Sequence, residues 1–350
     1  MEYRTVGRSG MRVSCIGLGT MTFGGDPDVR GVGLADAREI LDAALEAGVN
    51  FVDTADVYSG GESEAILGQA MAGRRERLVV ATKVRFATGP GPNDAGLSAA
   101  HLVKSCEDSL KRLRTDRIDL YQVHAWDGLT ALEETFAALE RLTAQGKILF
   151  SGCSNFSAWH IYKANCAARV VGARGFVSHQ IYYSPIGREA ERELIPASMD
   201  LGMGNLVWSP LAGGLMTGKY RRDRDWPKEG RHSKVWDEPP VNDWNHTYGV
   251  VEAIVEVAEA LEVTPAQVSL SYLLSKPGVT SLIVGARNRR QIDETLKAGD
   301  LVLPDTAVTA IDAASMLPLP YPQWHQARTI TDRLSPFDLI ALGKEKGSSE

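Results

Sequence analysis

The sequence predicts an α/β fold: a (β/α)8 TIM barrel with an N-terminal β-hairpin and extra C-terminal helices. Three observations predict it. Apolar runs rich in β-branched residues alternate with longer stretches of helical period. Eight such pairs fit in 350 residues, a length that α/β barrels often use as one domain. Ionisable residues recur at the ends of consecutive predicted strands, where a closed parallel barrel would gather them on one rim.

The elements follow in order. Residues 3–6 and 11–14 flank the turn Gly7-Arg8-Ser9-Gly10 and read as a short hairpin. Residues 15–18 form the first barrel strand and 36–47 its helix, closed by Gly48 as a C-cap. The second pair is 50–53 and 62–71. The third is 78–83 and 98–113, with Ser98 as N-cap. The fourth is 118–123 and 129–144. Strands five to seven are 148–151, 176–180 and 206–208, with helices at 157–169 and 189–200 between them. A long loop then runs to about Asn245. Helices follow at 248–261 and 265–275, the latter with Pro265 in its first turn. Strand eight is 280–284 and its helix 289–297. The tail holds a short helix near 306–315, a proline-broken segment at 318–324, and a polar stretch at 343–350 expected to fray. One barrel domain is expected over 1–342, with its long loop at about 213–246.

Composition narrows the function classes. Hydrophobic residues are 44% and charged residues 23%, which excludes whole-chain disorder and collagen. A net charge of −6 with scattered Lys and Arg argues against nucleic-acid binding. The first residues carry no apolar core of a secretory signal. The chargeless run 201–218 is broken by glycines and Pro210, so it reads as strand plus loop rather than a membrane span. Cys15, Cys106, Cys153 and Cys166 lie far apart with no C-x-x-C, which fits a reducing cytoplasm. The histidines form no H-E-x-x-H or H-x-H pair, so no metal is expected.

The strand ends carry the chemistry. Asp53 closes strand two, and Tyr58 follows five residues later. Lys83 closes strand three, and His124 directly follows strand four. Singly, each has an ordinary structural role: a turn former, a loop packing residue, a solvated strand end, a core histidine. Jointly they make an acid–base set. A neighbouring ammonium favours the phenolate and lowers a tyrosine pKa, ordinarily ~10. A carboxylate can hold that lysine charged, and a histidine can hydrogen-bond a carbonyl beside the phenol.

Longer segments carry a resemblance. They are Gly48-Val49-Asn50-Phe51-Val52-Asp53-Thr54-Ala55-Asp56-Val57-Tyr58, Glu62-Ser63-Glu64-Ala65-Ile66-Leu67-Gly68, Ala81-Thr82-Lys83, and Ser109-Leu110-Lys111-Arg112-Leu113 leading into Ile118-Asp119-Leu120-Tyr121-Gln122-Val123-His124. Downstream come Gly152-Cys153-Ser154-Asn155-Phe156, Gln180-Ile181-Tyr182-Tyr183-Ser184-Pro185, Trp208-Ser209-Pro210-Leu211-Ala212-Gly213-Gly214-Leu215 and Gly285-Ala286-Arg287. In these segments the chain resembles the aldo-keto reductase family, from the hairpin to the eighth helix. The resemblance implies NADPH-dependent reduction of an aldehyde or ketone. Tyr58 would be the general acid, Lys83 would depress its pKa, Asp53 would pair with Lys83, and His124 would orient the carbonyl.

The resemblance also implies the cofactor residues. Gly19, Thr20, Met21 and Asp53 would be among them. Ser154, Asn155 and Gln180 would hydrogen-bond the nicotinamide carboxamide, and Trp208 would stack on the nicotinamide ring. Ser209, Leu211 and Gly213 would follow the pyrophosphate, with Lys219 reaching a phosphate and Pro210 and Leu215 also among the cofactor residues. Gly285, Ala286, Arg287, Gln291 and Glu294 would hold the adenosine end. Arg287 suits a 2′-phosphate, favouring NADPH over NADH. Two positions depart from the family's habit: Thr295 stands where an adenine-contacting Asn is common, and Cys153 replaces a usual small apolar residue. Phe23, Tyr58 and Trp126 would line the substrate mouth, with Trp324 from the tail reaching it.

Two features stand apart. Tyr272 and Lys276 match Y-x-x-x-K, the catalytic pair of short-chain dehydrogenases, but no G-x-G-x-x-G opens the chain, and core packing is the expected role of Tyr272. The charge-rich stretch after Lys219, with Trp226, Trp236 and Trp244, is either a solvated insertion or a lid. The partner implied is a small-molecule carbonyl, with no nucleic acid and no membrane. Two alternatives stay open: an alcohol or sugar dehydrogenase working mainly in oxidation, and a cofactor-binding regulatory subunit of the kind found among potassium-channel β subunits.

Overall fold

Eight parallel strands close on themselves, and their order along the barrel follows the chain. The structure is a computed structural model that describes residues 1–25, 31–227, 238–330 and 332–344. Trp236, part of the long loop and most of the 343–350 tail lie outside the described residues.

The hairpin is β1 (Tyr3–Thr5) and β2 (Arg12–Ser14), paired antiparallel. The barrel begins with β3 (Ile16–Gly19), α1 (Leu34–Glu46), β4 (Phe51–Asp53), α2 (Glu62–Ala70), β5 (Val79–Val84) and α3 (Ala99–Leu113). It continues with β6 (Ile118–Val123), α4 (Leu132–Ala144), β7 (Ile148–Ser154), α5 (Ala158–Val170), β8 (Ser178–Tyr182), α6 (Leu194–Asp200) and β9 (Gly204–Trp208). Next come α7 (Trp244–Ala260), α8 (Pro265–Leu274), β10 (Val279–Val284) and α9 (Arg289–Leu296). The tail adds α10 (Asp305–Ser315), α11 (Gln323–Thr329) and α12 (Pro336–Ala341). β10 pairs with both β3 and β9, which closes the ring.

Local chemistry sets the boundaries. Ser98 Oγ accepts the His101 N–H and starts α3 as its N-cap. Thr264 and Gln267 form a reciprocal capping box around Pro265, which starts α8. Every residue of β6 is buried, as expected for a strand covered on both faces.

The hairpin determines which end of the barrel is open. Val6, Met11 and Val13 pack with Phe51, Leu120, Leu206 and Ile283 in a small cluster inside the barrel. Gly17 makes room there, since a Cβ on it would lie 2.4 Å from Phe51 Cδ1. Full burial of such side chains stabilises by about 1.5–3 kcal/mol each. The larger core lies between strands and helices. Apolar packing thus fills the N-terminal end, and the C-terminal strand ends are left for chemistry.

Several predicted boundaries shift. α4 begins at Leu132 rather than 129, because Asp127 Oδ1 captures the Leu129 and Thr130 N–H groups in a turn. The helix expected over 189–200 divides into a 3₁₀ turn at Glu189–Glu191 and α6. The loop expected from 213 contains a 3₁₀ segment, Ala212–Thr217, and gives way to α7 at Trp244, where the Asp243 carboxylate caps the helix. α11 and α12 are more helix than the sequence reading expected. The overlooked signal for α12 is a capping box, Ser335 with Asp338, around Pro336. Among the described residues, no helix is long and apolar enough to cross a membrane.

Candidate active site

Parallel registry brings the ionisable strand ends to one level. Asp53 is aligned with Gly19 on one side and Ala81 on the other, and Lys83 with Gln122. Tyr58 opens a 3₁₀ turn, Tyr58–Gly61, directly beyond β4. The turn holds Ser59 at a positive φ of 49°, uncommon for a residue with a side chain. The Ser59 hydroxyl donates to the Phe23 carbonyl at 3.1 Å and anchors it.

Lys83 is the centre of the site. Its ammonium donates to Asp53 Oδ2 at 2.5 Å, to the Thr54 carbonyl at 2.8 Å and to Tyr58 Oη at 3.1 Å. The Lys83 side chain is 0% exposed and that of Asp53 4%. The other Asp53 oxygen, Oδ1, accepts from Gln180 Nε2 at 2.8 Å and Gln122 Nε2 at 3.2 Å. Burial pushes the Lys83 pKa down, but the charge of Asp53 and the Tyr58 oxygen outweigh it, so Lys83 titrates above its ordinary value. For Tyr58 the order is reversed. Burial pushes the phenol up, and the opposing pull of Lys83 is smaller, so its pKa stays above ordinary. Lys83 does pull the Tyr58 pKa down, as expected, and burial decides the net direction.

His124 faces Tyr58 edge-on, with ring centroids 5.9 Å apart, and Phe86 at 4.8 Å. Burial, with the charges of Lys83 and Arg85, lowers its pKa to about 2. The ring is neutral, and its Nδ1 is buried without a hydrogen-bond partner among the described residues.

The residues beyond strands five to eight form a second group. Asn155 donates to the His124 carbonyl at 3.1 Å and accepts from Trp208 Nε1 at 3.0 Å. Its φ of 57° is one that Asn tolerates. Ser154 Oγ is buried with no partner among the described residues. The Trp208 ring packs 5.1 Å from Tyr182. Ser209 Oγ accepts the Gly213 N–H at 3.1 Å, and Gly213 and Gly214 bend the chain with φ of 64° and 97°. Pro210 and Leu215 are buried, Leu211 is half-buried, and Lys219 lies against the Tyr220 ring. Gly285 is exposed and Ala286 buried. Arg287 N–H donates to Gln291 Oε1 at 2.8 Å at the start of α9, and Glu294 lies exposed on that helix. Thr20 is buried and bonded to the Asp53 carbonyl and Ser63, while Met21 is half-exposed.

Phe23 falls elsewhere than expected, and the other aromatic candidates have close ring partners. Phe23 is 0% exposed and sits in the core beside Val32, so it is no open wall of the mouth. Trp126 stacks on His160 at 3.8 Å, with its carbonyl turned to Arg85. The Trp324 ring meets Tyr321 and His325 of its own segment. Tyr272 donates to Asp312 Oδ1 at 2.5 Å, and Lys276 reaches the same oxygen at 2.7 Å. Arg188 joins them at 2.9 Å, so the Y-x-x-x-K pair is part of a structural network. The sequence reading missed Gln122, Arg85 and Phe86. Gln122 could have been found, because a glutamine two residues before His124 is anomalous in an apolar strand.

Comparisons with known proteins point to one family. The Aldo/keto reductase family pattern matches residues 15–316. The chain is 38% identical over 314 residues to an uncharacterized oxidoreductase, YrpG, of Bacillus subtilis, covering 87% of this chain and 92% of that protein. It is 36% identical over 312 residues to a probable voltage-gated potassium channel subunit beta of Arabidopsis thaliana, covering 86% and 92%. It is 34% identical over 324 residues to the norsolorinic acid reductase of Aspergillus flavus, covering 90% and 81%. With a closed barrel, a buried Asp–Lys–Tyr chain at its open end and this breadth of match, the chain belongs to the aldo/keto reductase family.

Proposed function

We propose that the protein reduces an aldehyde or ketone to the alcohol with NADPH, and that Tyr58 supplies the proton. The observation that carries this is the Lys83 ammonium held between Asp53 and the Tyr58 hydroxyl. When Tyr58 gives its proton to the carbonyl oxygen, a phenolate is left 3.1 Å from a buried cation. That contact stabilises the phenolate in a low-dielectric site. His124, neutral with its pKa near 2, orients the oxygen without competing as the acid. Gln122 and Gln180 hold Asp53, which keeps Lys83 charged and aimed.

The residues present fit a nicotinamide dinucleotide. The orphaned Ser154 Oγ suits a carboxamide, the Gly213–Gly214 bend suits a close approach by pyrophosphate, and Arg287 at the start of α9 suits a 2′-phosphate. Bound there, the cofactor would supply hydride to the carbonyl carbon. Hydride and the Tyr58 proton together convert the carbonyl to an alcohol. Ser154, Asn155 and Gln180 would hold the carboxamide end, and Trp208 would cover the ring. Trp208 and Gln180 are already engaged with Asn155 and Asp53, so their positions are set before ligand arrives. The separated cysteines fit a reducing cytoplasm.

A second reading has support from relatives whose names are potassium channel β subunits: a cofactor-holding regulatory protein. Parallel assays of NADPH and NADH oxidation on a panel of aldehydes and ketones separate the two. Turnover with NADPH preferred supports the reductase. Tight cofactor binding with no turnover on any member supports the regulator.

A further inference from the structure

Directly after Lys83 and Val84 the chain passes through Arg85, whose φ is 140°. That is glycine territory, and a residue with a side chain is kept there only when its surroundings enforce it. The surroundings here are specific. The Gly96 N–H donates to the Arg85 carbonyl at 2.8 Å, and Arg85 Nε donates to the Trp126 carbonyl at 3.2 Å. The guanidinium carbon lies 5.3 Å from the Phe86 ring centroid. Phe86 in turn packs on His124, and its side chain is 37% exposed.

Among the described residues, no carboxylate forms an ion pair with this cation. Among the described residues, no hydrogen bond or ion pair reaches the two terminal amino groups of Arg85. The carboxylates of the flanking loops are occupied. Asp94 accepts the Gly91 N–H, and Asp127 accepts the N–H groups of Leu97, Leu129 and Thr130. A half-buried guanidinium of this kind presents its parallel N–H donors to an arriving anion. Its charge is felt at the carbonyl-orienting histidine, where it adds to the lowering of the His124 pKa.

We propose that Arg85 and Phe86 form an anion-and-aryl subsite beside His124, which selects aromatic carbonyl substrates that carry a carboxylate. The guanidinium takes the carboxylate through its parallel N–H pair, and the Phe86 ring edges the planar body. The carbonyl is thereby brought to His124 and Tyr58. This rests on the reductase reading of the same site.

The test compares 4-carboxybenzaldehyde with its methyl ester, which keeps ring and aldehyde and removes the charge. The wild-type protein with NADPH should favour the acid in kcat/KM by about tenfold or more, mainly through KM. Arg85→Gln should collapse that ratio to about one, and Arg85→Lys should retain part of it, with circular dichroism reporting that both fold. Equal use of acid and ester by wild type, or an unchanged ratio in Arg85→Gln, overturns the proposal. Failure of the wild type to reduce either compound strikes the reductase reading instead. The subsite is then judged by tryptophan-fluorescence titration with 4-(hydroxymethyl)benzoate against its methyl ester. The same acid preference, lost in Arg85→Gln, supports it, and equal binding overturns it.

Discussion

The ammonium of Lys83 lies 3.1 Å from the Tyr58 hydroxyl, although 25 residues separate the two. Lys83 is wholly buried and its charge is balanced by Asp53, and in the proposed reduction Tyr58 and Lys83 would serve as proton donor and countercharge. Tyr58→Phe removes the proton and keeps the ring. Carbonyl reduction should fall by about 10²–10⁴-fold, while NADPH binding by fluorescence titration stays within about twofold. Near-wild-type turnover in that variant would dismiss Tyr58 as the acid.

The same burial makes Lys83 a stability residue. Lys83→Met leaves Asp53 buried with only Gln122 and Gln180 for partners. An uncompensated buried charge of this kind typically costs about 3–5 kcal/mol. Urea unfolding should show the midpoint falling accordingly, and an unmoved midpoint would mean that the pair contributes little.

His124 should stay neutral, with a single ring N–H, at any working pH, since burial with the charges of Lys83 and Arg85 lowers its pKa to about 2. Its imidazole NMR signals should stay constant between pH 5 and 8, and reduction should show no histidine limb there. A titration near 6.5 would sink the neutral-donor role.

Asp56 behaves in the opposite way. Both its carboxylate oxygens are buried without a partner among the described residues. Burial, then the charge of Glu64, raises its pKa to about 7, against weaker pulls from Arg112 and Lys83. The folded state therefore holds this proton up to about pH 7, whereas the unfolded chain releases it near pH 4. Its contribution to stability is greatest below pH 4 and is lost as pH rises towards 7, by up to about 4 kcal/mol. Asp56→Asn should be more stable than wild type at pH 8, with the gap closing towards pH 4. A gap independent of pH between 4 and 8 would rule this out.

Arg287→Ala should weaken NADPH about tenfold or more and NADH little, because only NADPH carries the 2′-phosphate. Side-by-side titrations decide it, and equal losses would argue for a role at the shared adenosine.

The barrel was legible because strand–helix alternation and chain order are local, repeated signals. Asp53, Lys83 and His124 could be placed on one rim for the same reason: a parallel barrel puts all C-terminal strand ends together, whatever the side chains do. The capping signals of α3 and α8 were likewise local.

Contacts and burial were not legible in this way. The reach of Gln180 to Asp53 spans 127 residues, and no window of sequence contains it. Phe23 in the core and Tyr272 with Lys276 on Asp312 are packing outcomes, which motif spacing does not encode. The sign of the Tyr58 shift was the most instructive case. Sequence placed a cation near a phenol, which lowers its pKa, but only the folded structure set how much water was removed from that phenol, and desolvation exceeded the charge. Sequence by itself therefore determined the barrel and which ionisable residues meet at its open end. Tertiary structure decided their protonation and partners, because both depend on burial, a property of the whole packed chain.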